Sequence, residues 1–584
     1  MRTARPICQY SVCALPLLLG LVYIPSLDAP FSAPKTALLI VAGVALFASA
    51  AAAGWLSSLR RRSAESRDLS IMLALCAGYC FAVLASWMAS PRLDMGGHAV
   101  LFALAGPLLF AAAAAVMGGA QRWLVRCIAL AGGLQTVIAL AQWGLALDVF
   151  SPFGASAPVR GRMQIYGTLG NPDFVAVFIA ACMPALVTLT CDGRSRILRW
   201  LGGAAVAAEF VAIFATGCRT GLFSAAIGVA ATLVLHGTPS RRELNRRIGI
   251  AAVFMLAIGI GTVIFVRRSP LGAQEAVRGR LFVWQTSLSK GSWHTLLGSG
   301  PGTFAYGYPA RVAFGPLHSR IPGLSRFIGY ERTAVNDFLQ ALVETGWLGL
   351  LTLTGTIAWW LHIVWRHIKR SDSKHPSSTT VAAFAGVIVL LVAAFFESPL
   401  QHEDWALLWL WMALPLAGFQ VSDDALPASI RISTPVWVTR WAIAAAVTLG
   451  AAYLAVQPAI ASYWTAVGVR SEDRQHYSLA IDAYQRALAH DATSPDAHFN
   501  LARSLAMSGD LEGGLRASDD ALRWVDEPEL YLMRAYMREN QDDYPGAVRE
   551  LAAGLRLFPF SLKLQMALAD AGKHLSGAKS QGAR

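Results

Sequence analysis

The sequence predicts an all-α membrane protein: a polytopic transmembrane helical bundle of about thirteen spans, followed by a C-terminal α-helical repeat domain. Three observations predict this fold class. The chain is 55% hydrophobic and only 15% charged, whereas soluble domains carry about a quarter charged residues. The apolar mass falls in blocks of about twenty residues, the length that crosses a hydrocarbon core as helix. Beyond residue 460 the blocks stop, and small residues recur at spacings of 33 and 34.

Taken in order, the expected spans are 11–27, 35–56, 69–90, 98–118, 127–147, 172–191, 201–217, 219–236, 249–266, 338–364, 380–399, 405–420 and 441–459. The first block would pass for the apolar part of a signal peptide. No clear small-residue cleavage site separates it from the second, so it reads as a retained anchor. Arg60–Arg62, Arg122 and Arg126, Arg194–Arg199, Arg241–Arg247 and Arg366–Arg370 all fall on one side, the positive-inside pattern. The N-terminus is therefore expected in the cytoplasm. Thirteen crossings bring the tail to the outer side, which is the periplasm if the membrane is a bacterial inner membrane. The expected division is 1–160 for the N-terminal spans, 161–420 for a core that includes an outer loop at 267–337, 421–459 for the last span, and 460–584 for the repeats.

The net charge of +13 is uneven: residues 460–584 hold 14 Lys/Arg against 17 Asp/Glu, leaving +16 for the membrane part. A basic excess beside lipid needs no nucleic acid to explain it, and no nucleic-acid-binding motif is present. The eight cysteines all precede the outer loop, and their spacing forms neither a disulfide framework nor a metal site. The outer loop holds eight Arg and one Lys against Glu275, Glu331 and Asp337. Two readings stand for it: a solvated face, or a surface in which planar guanidinium groups bind phosphate or carboxylate. In the tail, Ala480, Gly514 and Ala547, then Ala487, Ala521 and Gly554, keep the tetratricopeptide period, with Pro495 and Pro528 33 apart. A stack of this kind binds protein segments or spaces domains.

Several motifs stand at the expected outer face. Gly167-Thr168-Leu169-Gly170-Asn171-Pro172-Asp173 opens a span with an N-cap, a first-turn proline and an acidic residue. It is either a well-made helix start or an anion site at a helix N-terminus, with Arg160 and Arg162 upstream. Thr216-Gly217-Cys218-Arg219-Thr220-Gly221 forms a tight turn whose arginine, at membrane depth, is a candidate functional group. Glu209 lies mid-span on the neighbouring helix, either paired or neutral. Arg278, Arg280 and Trp284 open the outer loop, the last two on one helical face. Leu296-Leu297-Gly298-Ser299-Gly300-Pro301-Gly302-Thr303-Phe304 follows. Val335-Asn336-Asp337-Phe338-Leu339-Gln340 then leads through Val343-Glu344-Thr345-Gly346-Trp347 into a further span, with Asn336 as its cap.

In this order the motifs resemble the O-antigen ligase and polymerase superfamily, over about residues 160–420, and tetratricopeptide tails occur on many of its members. The resemblance implies a glycosyltransferase that needs no metal or other cofactor. Its donor would be a polyprenyl-pyrophosphate-linked glycan, and its acceptor a hydroxyl on lipid A-core, on another glycan or on a protein. By the same resemblance Arg219 clamps the donor pyrophosphate and Arg280 neutralises it as it departs. Arg160, Arg162, Asn171, Arg278, Trp284 and Asn336 are the expected substrate-binding residues, and the tail would recruit a protein partner or position the acceptor. The chain departs from the family at one position. Where ligases carry a histidine before the Asn-Asp pair, this sequence has Val335. Another group then serves as base (Asp337, His318, or His402 in the His402-Glu403-Asp404 cluster), or the chain belongs with the polymerases, or it is a non-catalytic scaffold of polysaccharide assembly.

Overall fold

The computed structural model describes residues 4–145, 161–237, 242, 245–249, 270–288, 295–314, 332–370, 377–418 and 434–581. Among them there is no strand. The bundle runs α1 (Ala4–Leu21), α2 (Ser32–Ala52), α3 (Leu56–Glu65), α4 (Arg67–Ala89), α5 (Leu93–Val116), α6 (Gln121–Leu145), α7 (Pro172–Cys191), α8 (Arg196–Thr216), α9 (Arg219–Leu235), α10 (Pro270–Leu288), α11 (Phe304–Phe314), α12 (Asp337–Arg370), α13 (Ser378–Phe396) and α14 (Asp404–Gly418). A long helix, α15 (Thr434–Asp473), leads into α16 (Tyr477–His490), α17 (Pro495–Met507), α18 (Leu511–Ala521), α19 (Pro528–Glu539), α20 (Tyr544–Leu557) and α21 (Leu562–Gln581).

This is a multi-pass membrane protein. Nine described helices (α2, α4–α8, α12, α13 and α15) are long and apolar enough to cross a bilayer, and Arg5–Leu21, Arg219–Leu235 and Asp404–Leu416 are shorter apolar helices. Twelve of the expected spans thus fall on apolar helices, and the remaining one, 249–266, lies outside the described residues. Two elements differ from expectation in extent. The span expected at 338–364 is the middle of α12, which is interrupted by non-helical backbone at Gly346 (φ 67, ψ −168). The span expected at 441–459 belongs to α15, whose 40 residues extend about 60 Å at 1.5 Å per residue, so membrane span and repeat domain share one helix.

Helix association in lipid relies on close packing at small residues, because the surrounding tails are as apolar as the helices. The bundle follows this rule. Trp409 and Trp411 are wholly buried, their indoles set against Gly106 and Gly386. At Gly43 of α2 a Cβ would lie 2.6 Å from the Ala105 carbonyl oxygen of α5. α4 and α12 are tied at both ends. Trp359 Nε1 donates to Asp68 O at 3.0 Å and Arg366 pairs with Asp68 at 3.3 Å, while Ser86 Oγ donates to Glu344 O at 2.7 Å.

The C-terminal region is a helical repeat. Ala480, Ala487, Ala521 and Ala547 are fully buried between helices, and a Cβ on Gly554 would lie 2.8 Å from Tyr531. Pro495 and Pro528 start α17 and α19. Two buried ionic clusters hold the stack. Glu472 accepts from Tyr484 at 3.0 Å, Arg503 at 2.5 Å and Ser504 at 2.6 Å. Arg534 forms a fork onto Glu550, both bonds 2.8 Å, and reaches Asp519 at 2.6 Å.

The repeats dock on the loops of the bundle. Asp28 N and Ala29 N donate to Ser462 O and Oγ at 3.0 and 2.8 Å. Arg92, at the start of α5, donates to Arg523 O at 2.5 Å and lies over the rings of Trp524 and Tyr306. Arg332 pairs with Asp496 at 3.7 Å. Because Glu550 is itself largely buried, Arg534→Ala strands a carboxylate and should destabilise the repeats by about 3 kcal/mol. Urea-dependent proteolysis of the detergent-solubilised full chain reads this as cleavage within the tail at lower urea than wild type, and an unchanged midpoint would contradict it.

Candidate functional site

Two helix N-termini form the base of the site. Asn171 Oδ1 accepts from Asp173 N at 2.8 Å and caps α7, with Pro172 at its first position. Gly217, at φ 69, ends α8. Thr216 Oγ1 then accepts from Cys218 N at 3.1 Å, and Cys218 Sγ accepts from Gly221 N at 3.3 Å to cap α9. A Cβ on Gly221 would sit 2.7 Å from that of Ala176, so the first turns of α7 and α9 lie against each other. Asp173 and Cys218 are neighbours there. Arg219 is the first residue of α9, half-buried, and makes no hydrogen bond or ion pair among the described residues. A cation at the positive end of a helix dipole is electrostatically unfavourable alone and favourable once an anion joins it.

The segment after α13 joins these N-termini to the outer loop. Glu397 directly follows the helix. Its Oε1 accepts from the Arg280 guanidinium in an ion pair and from Thr220 Oγ1 at 3.4 Å. Burial pushes the Glu397 carboxyl up to about 7, with Arg280 pulling it down and Asp173 adding to the rise. One turn from Arg280 on α10, Trp284 Nε1 donates to Val335 O at 3.4 Å and packs edge-on against Phe395. Asn336 Oδ1 accepts from Leu339 N at 3.0 Å to cap α12, while its Nδ2 donates to Phe395 O at 3.0 Å. Residues 395–397 therefore touch three motifs that are far apart in sequence.

The glycine-rich run is a stitch. The interruption at Gly346 frees carbonyls of α12, and the loop's amides take them: Ser299 N donates to Val343 O and Gly300 N to Glu344 O, both at 2.9 Å, and Leu348 N returns to Leu296 O at 3.1 Å. Gly298 (φ 73) and Gly346 (φ 67) face each other's backbone, where a Cβ on either would strike a carbonyl. The Glu344 carboxylate accepts from Phe304 N and Gln340 Nε2, both at 3.2 Å.

Asp337 is 3% exposed. Its oxygens accept from Leu400 N at 3.0 Å and Gln401 Nε2 at 3.4 Å, fastening the short turn Pro399–Gln401 onto α12. His402 is stacked on Phe174, ring centroids 4.0 Å apart, and burial together with the nearby Lys35 ammonium lowers its pKa to about 4. Arg278 is exposed. Arg160 and His318 lie outside the described residues, as does the side chain of Arg162, whose backbone is in the short turn Gly161–Gln164. Glu209 is 1% exposed, and neither carboxylate oxygen has a hydrogen-bond partner among the described residues. The structure thus gathers Asn171, Arg219, Arg280, Trp284, Asn336 and Asp337 at one end of the bundle. It adds Glu397 and Gln401, which motif reading misses. The available signal was an acidic residue closing the apolar run Val392-Ala393-Ala394-Phe395-Phe396.

Residues 203–354 match the family model described as O-antigen ligase. That stretch of the chain is similar to the O-antigen ligase family. It takes in Arg219, Arg280, Trp284, the glycine stitch and Asp337; Asn171 and Glu397 lie outside it. No curated protein matches the chain. Among solved structures, a chain in the crystal structure of the APC/C hetero-tetramer Cut9-Hcn1 aligns over 90% of this chain and 89% of that one, at 10% identity and a TM-score of 0.21, a likeness too slight to bear on the fold.

Within the matched stretch Val335 has φ 50, a left-handed conformation that is a genuine outlier for a β-branched side chain and in which His, Asn and Asp are enriched. Val335→Asn should relieve this strain and stabilise the protein by about 1 kcal/mol. The thermal midpoint of the detergent-solubilised variant should rise while that of Val335→Leu does not, and equal midpoints would contradict the strain.

Proposed function

We propose that the protein is a membrane glycosyltransferase that moves a polyprenyl-pyrophosphate-linked glycan onto an acceptor hydroxyl at the periplasmic face of a bacterial inner membrane, in cell-surface polysaccharide assembly. One observation carries the reading. Two arginines from separate elements stand at one end of a membrane bundle: Arg280 on α10 pairs with Glu397, and Arg219 opens α9 next to Thr220, which donates to the same carboxylate; both fall in the stretch that matches the O-antigen ligase family model. A guanidinium pair and a helix N-terminus suit the pyrophosphate of a lipid-anchored donor.

In the transfer, the acceptor oxygen attacks the anomeric carbon, the bond from that carbon to the pyrophosphate oxygen breaks, and the electron pair leaves with the pyrophosphate. Arg219 and Arg280 stabilise the charge that develops there. The hydroxyl proton goes to a carboxylate. Asp337 is our assignment, since Val335 has no basic group and His402 is a weak base packed on Phe174. Ligase and polymerase consume the same donor and differ in how often one acceptor returns. A scaffold would bind the donor without turning it over, and would depend on residues 460–584 rather than on the two arginines.

The deciding assay supplies the purified protein with a polyprenyl-pyrophosphate oligosaccharide and resolves released polyprenyl pyrophosphate and glycan products by mass spectrometry. Release should depend on an added acceptor, and Arg219→Ala and Arg280→Ala should each lower it by about 100-fold. Full activity in both variants would remove the mechanism.

The Glu397 carboxyl near 7 sets a pH dependence. Above that value the carboxylate neutralises Arg280; as pH falls through it, Glu397 takes a proton and the guanidinium is released to the donor. Polyprenyl pyrophosphate should therefore bind several-fold tighter at pH 6 than at pH 8. Glu397→Gln should bind tightly at both, and a variant as pH-dependent as wild type would exclude Glu397 as the cause.

A further inference from the structure

Asp337 also lines a cavity of about 220 Å³ that neither Arg219 nor Arg280 lines. Asp337, Gln340 and Glu344 line it from one face of α12, at i, i+3 and i+7. Tyr79 of α4 and Trp405 of α14 supply aromatic walls. Tyr79 is 6% exposed, and its hydroxyl has no hydrogen-bond partner among the described residues, although the Asp337 and Glu344 carboxyl groups are its electrostatic neighbours. The hydroxyl is not one of the sealed polar atoms, so it can be reached by, and hydrogen-bond, a group that enters the cavity.

The lining selects the class of that group. Two carboxyl groups in so small a space repel phosphate. Each also already accepts two hydrogen bonds, Asp337 from residues 400 and 401 and Glu344 from Phe304 N and Gln340. Their remaining lone pairs suit neutral O–H donors better than a bare cation. Polar acceptors on one wall and aromatic rings on another match a sugar, which presents hydroxyls at its rim and C–H groups on its faces. At the mouth, Arg332 pairs with Asp496 of α17, so a longer chain leaving the cavity passes beside the repeats.

We propose that this cavity is the subsite for the acceptor sugar, with Tyr79 a specificity-determining residue that hydrogen-bonds one of its hydroxyls. The proposal rests on the transferase reading above. It makes Asp337 the link between the two: it lines the cavity and is an electrostatic neighbour of Glu397, the partner of Arg280.

The test uses the full chain in detergent with two probes. Saturation-transfer NMR reports binding of glucose, galactose, mannose, rhamnose and N-acetylglucosamine, and displacement of a labelled analogue reports binding of polyprenyl pyrophosphate. At least one sugar should give a saturable signal. Tyr79→Phe should weaken it at least fivefold, and Ala103→Phe, which fills the cavity, should abolish it, both variants keeping wild-type polyprenyl-pyrophosphate binding. Absence of any sugar signal in a protein that binds polyprenyl pyrophosphate overturns the proposal and leaves the transferase reading standing. So does a sugar signal that neither substitution changes. Sugar binding that responds to both substitutions, in a protein that binds no polyprenyl pyrophosphate, keeps a sugar cavity but overturns the transferase reading and the acceptor role with it.

Discussion

Inside a bilayer every backbone N–H and C=O must find a partner within the protein, because no water is there to supply one. α12 breaks this economy at Gly346 and then restores it. The interruption leaves the Val343 and Glu344 carbonyls without helical donors, and the amides of Ser299 and Gly300 take them. The outer loop is thereby held to a membrane helix by backbone bonds, which do not depend on side-chain identity. The glycines on both strands of the stitch follow from the same requirement, since each approaches a carbonyl too closely for a Cβ. With the loop so anchored, α11 is fixed, and the N-terminal end of α12 is set against residues 395–401.

The charged groups at that end are arranged around one buried carboxylate. Glu397 is where an apolar helix finishes, and it takes its partners from α10 and α9 rather than from its own element. Pairing a buried carboxylate with arginine offsets much of the desolvation that either would suffer alone. The same pairing brings the outer loop down onto the helix N-termini. Arg219, by contrast, makes no ion pair among the described residues. The difference between the two arginines is the feature of the site most easily read as a place for a ligand: Arg280 is paired with Glu397, and Arg219 has no such pairing among the described residues.

The repeats belong to the same mechanical unit. α15 passes without interruption from the bundle into the first repeat, so the tail's direction is fixed by a helix and not by a linker. Arg92 and Arg332 then hold later helices of the tail to loops of the bundle. A domain that reads in sequence as an appended module is built in as a wall beside the cavity mouth.

Local sequence determined the helices and the repeats. Blocks of about twenty apolar residues are legible because hydrocarbon thickness sets one length scale, and the 33- and 34-residue period is legible because buried small residues must recur where helix pairs stack. Caps were equally plain: Asn171 and Asn336 cap the helices that their positions suggest, since capping involves only neighbours in sequence. The candidate site was legible only as separate motifs, and their structural parts became clear once they were assembled. The glycine run turned out to be a backbone stitch, and Asn336 and Asp337 serve as structural ties as well as candidate site groups. Glu397 carries only a weak local signal, an acidic residue that closes an apolar run, and Tyr79 carries none, because a carboxylate at a helix end and a tyrosine in an apolar span are commonplace until their surroundings are known. Their neighbours lie 117 residues away for the Glu397–Arg280 pair and on α12 for Tyr79. Pair energies depend on distance and burial, which a sequence does not contain, and only the tertiary structure decided them.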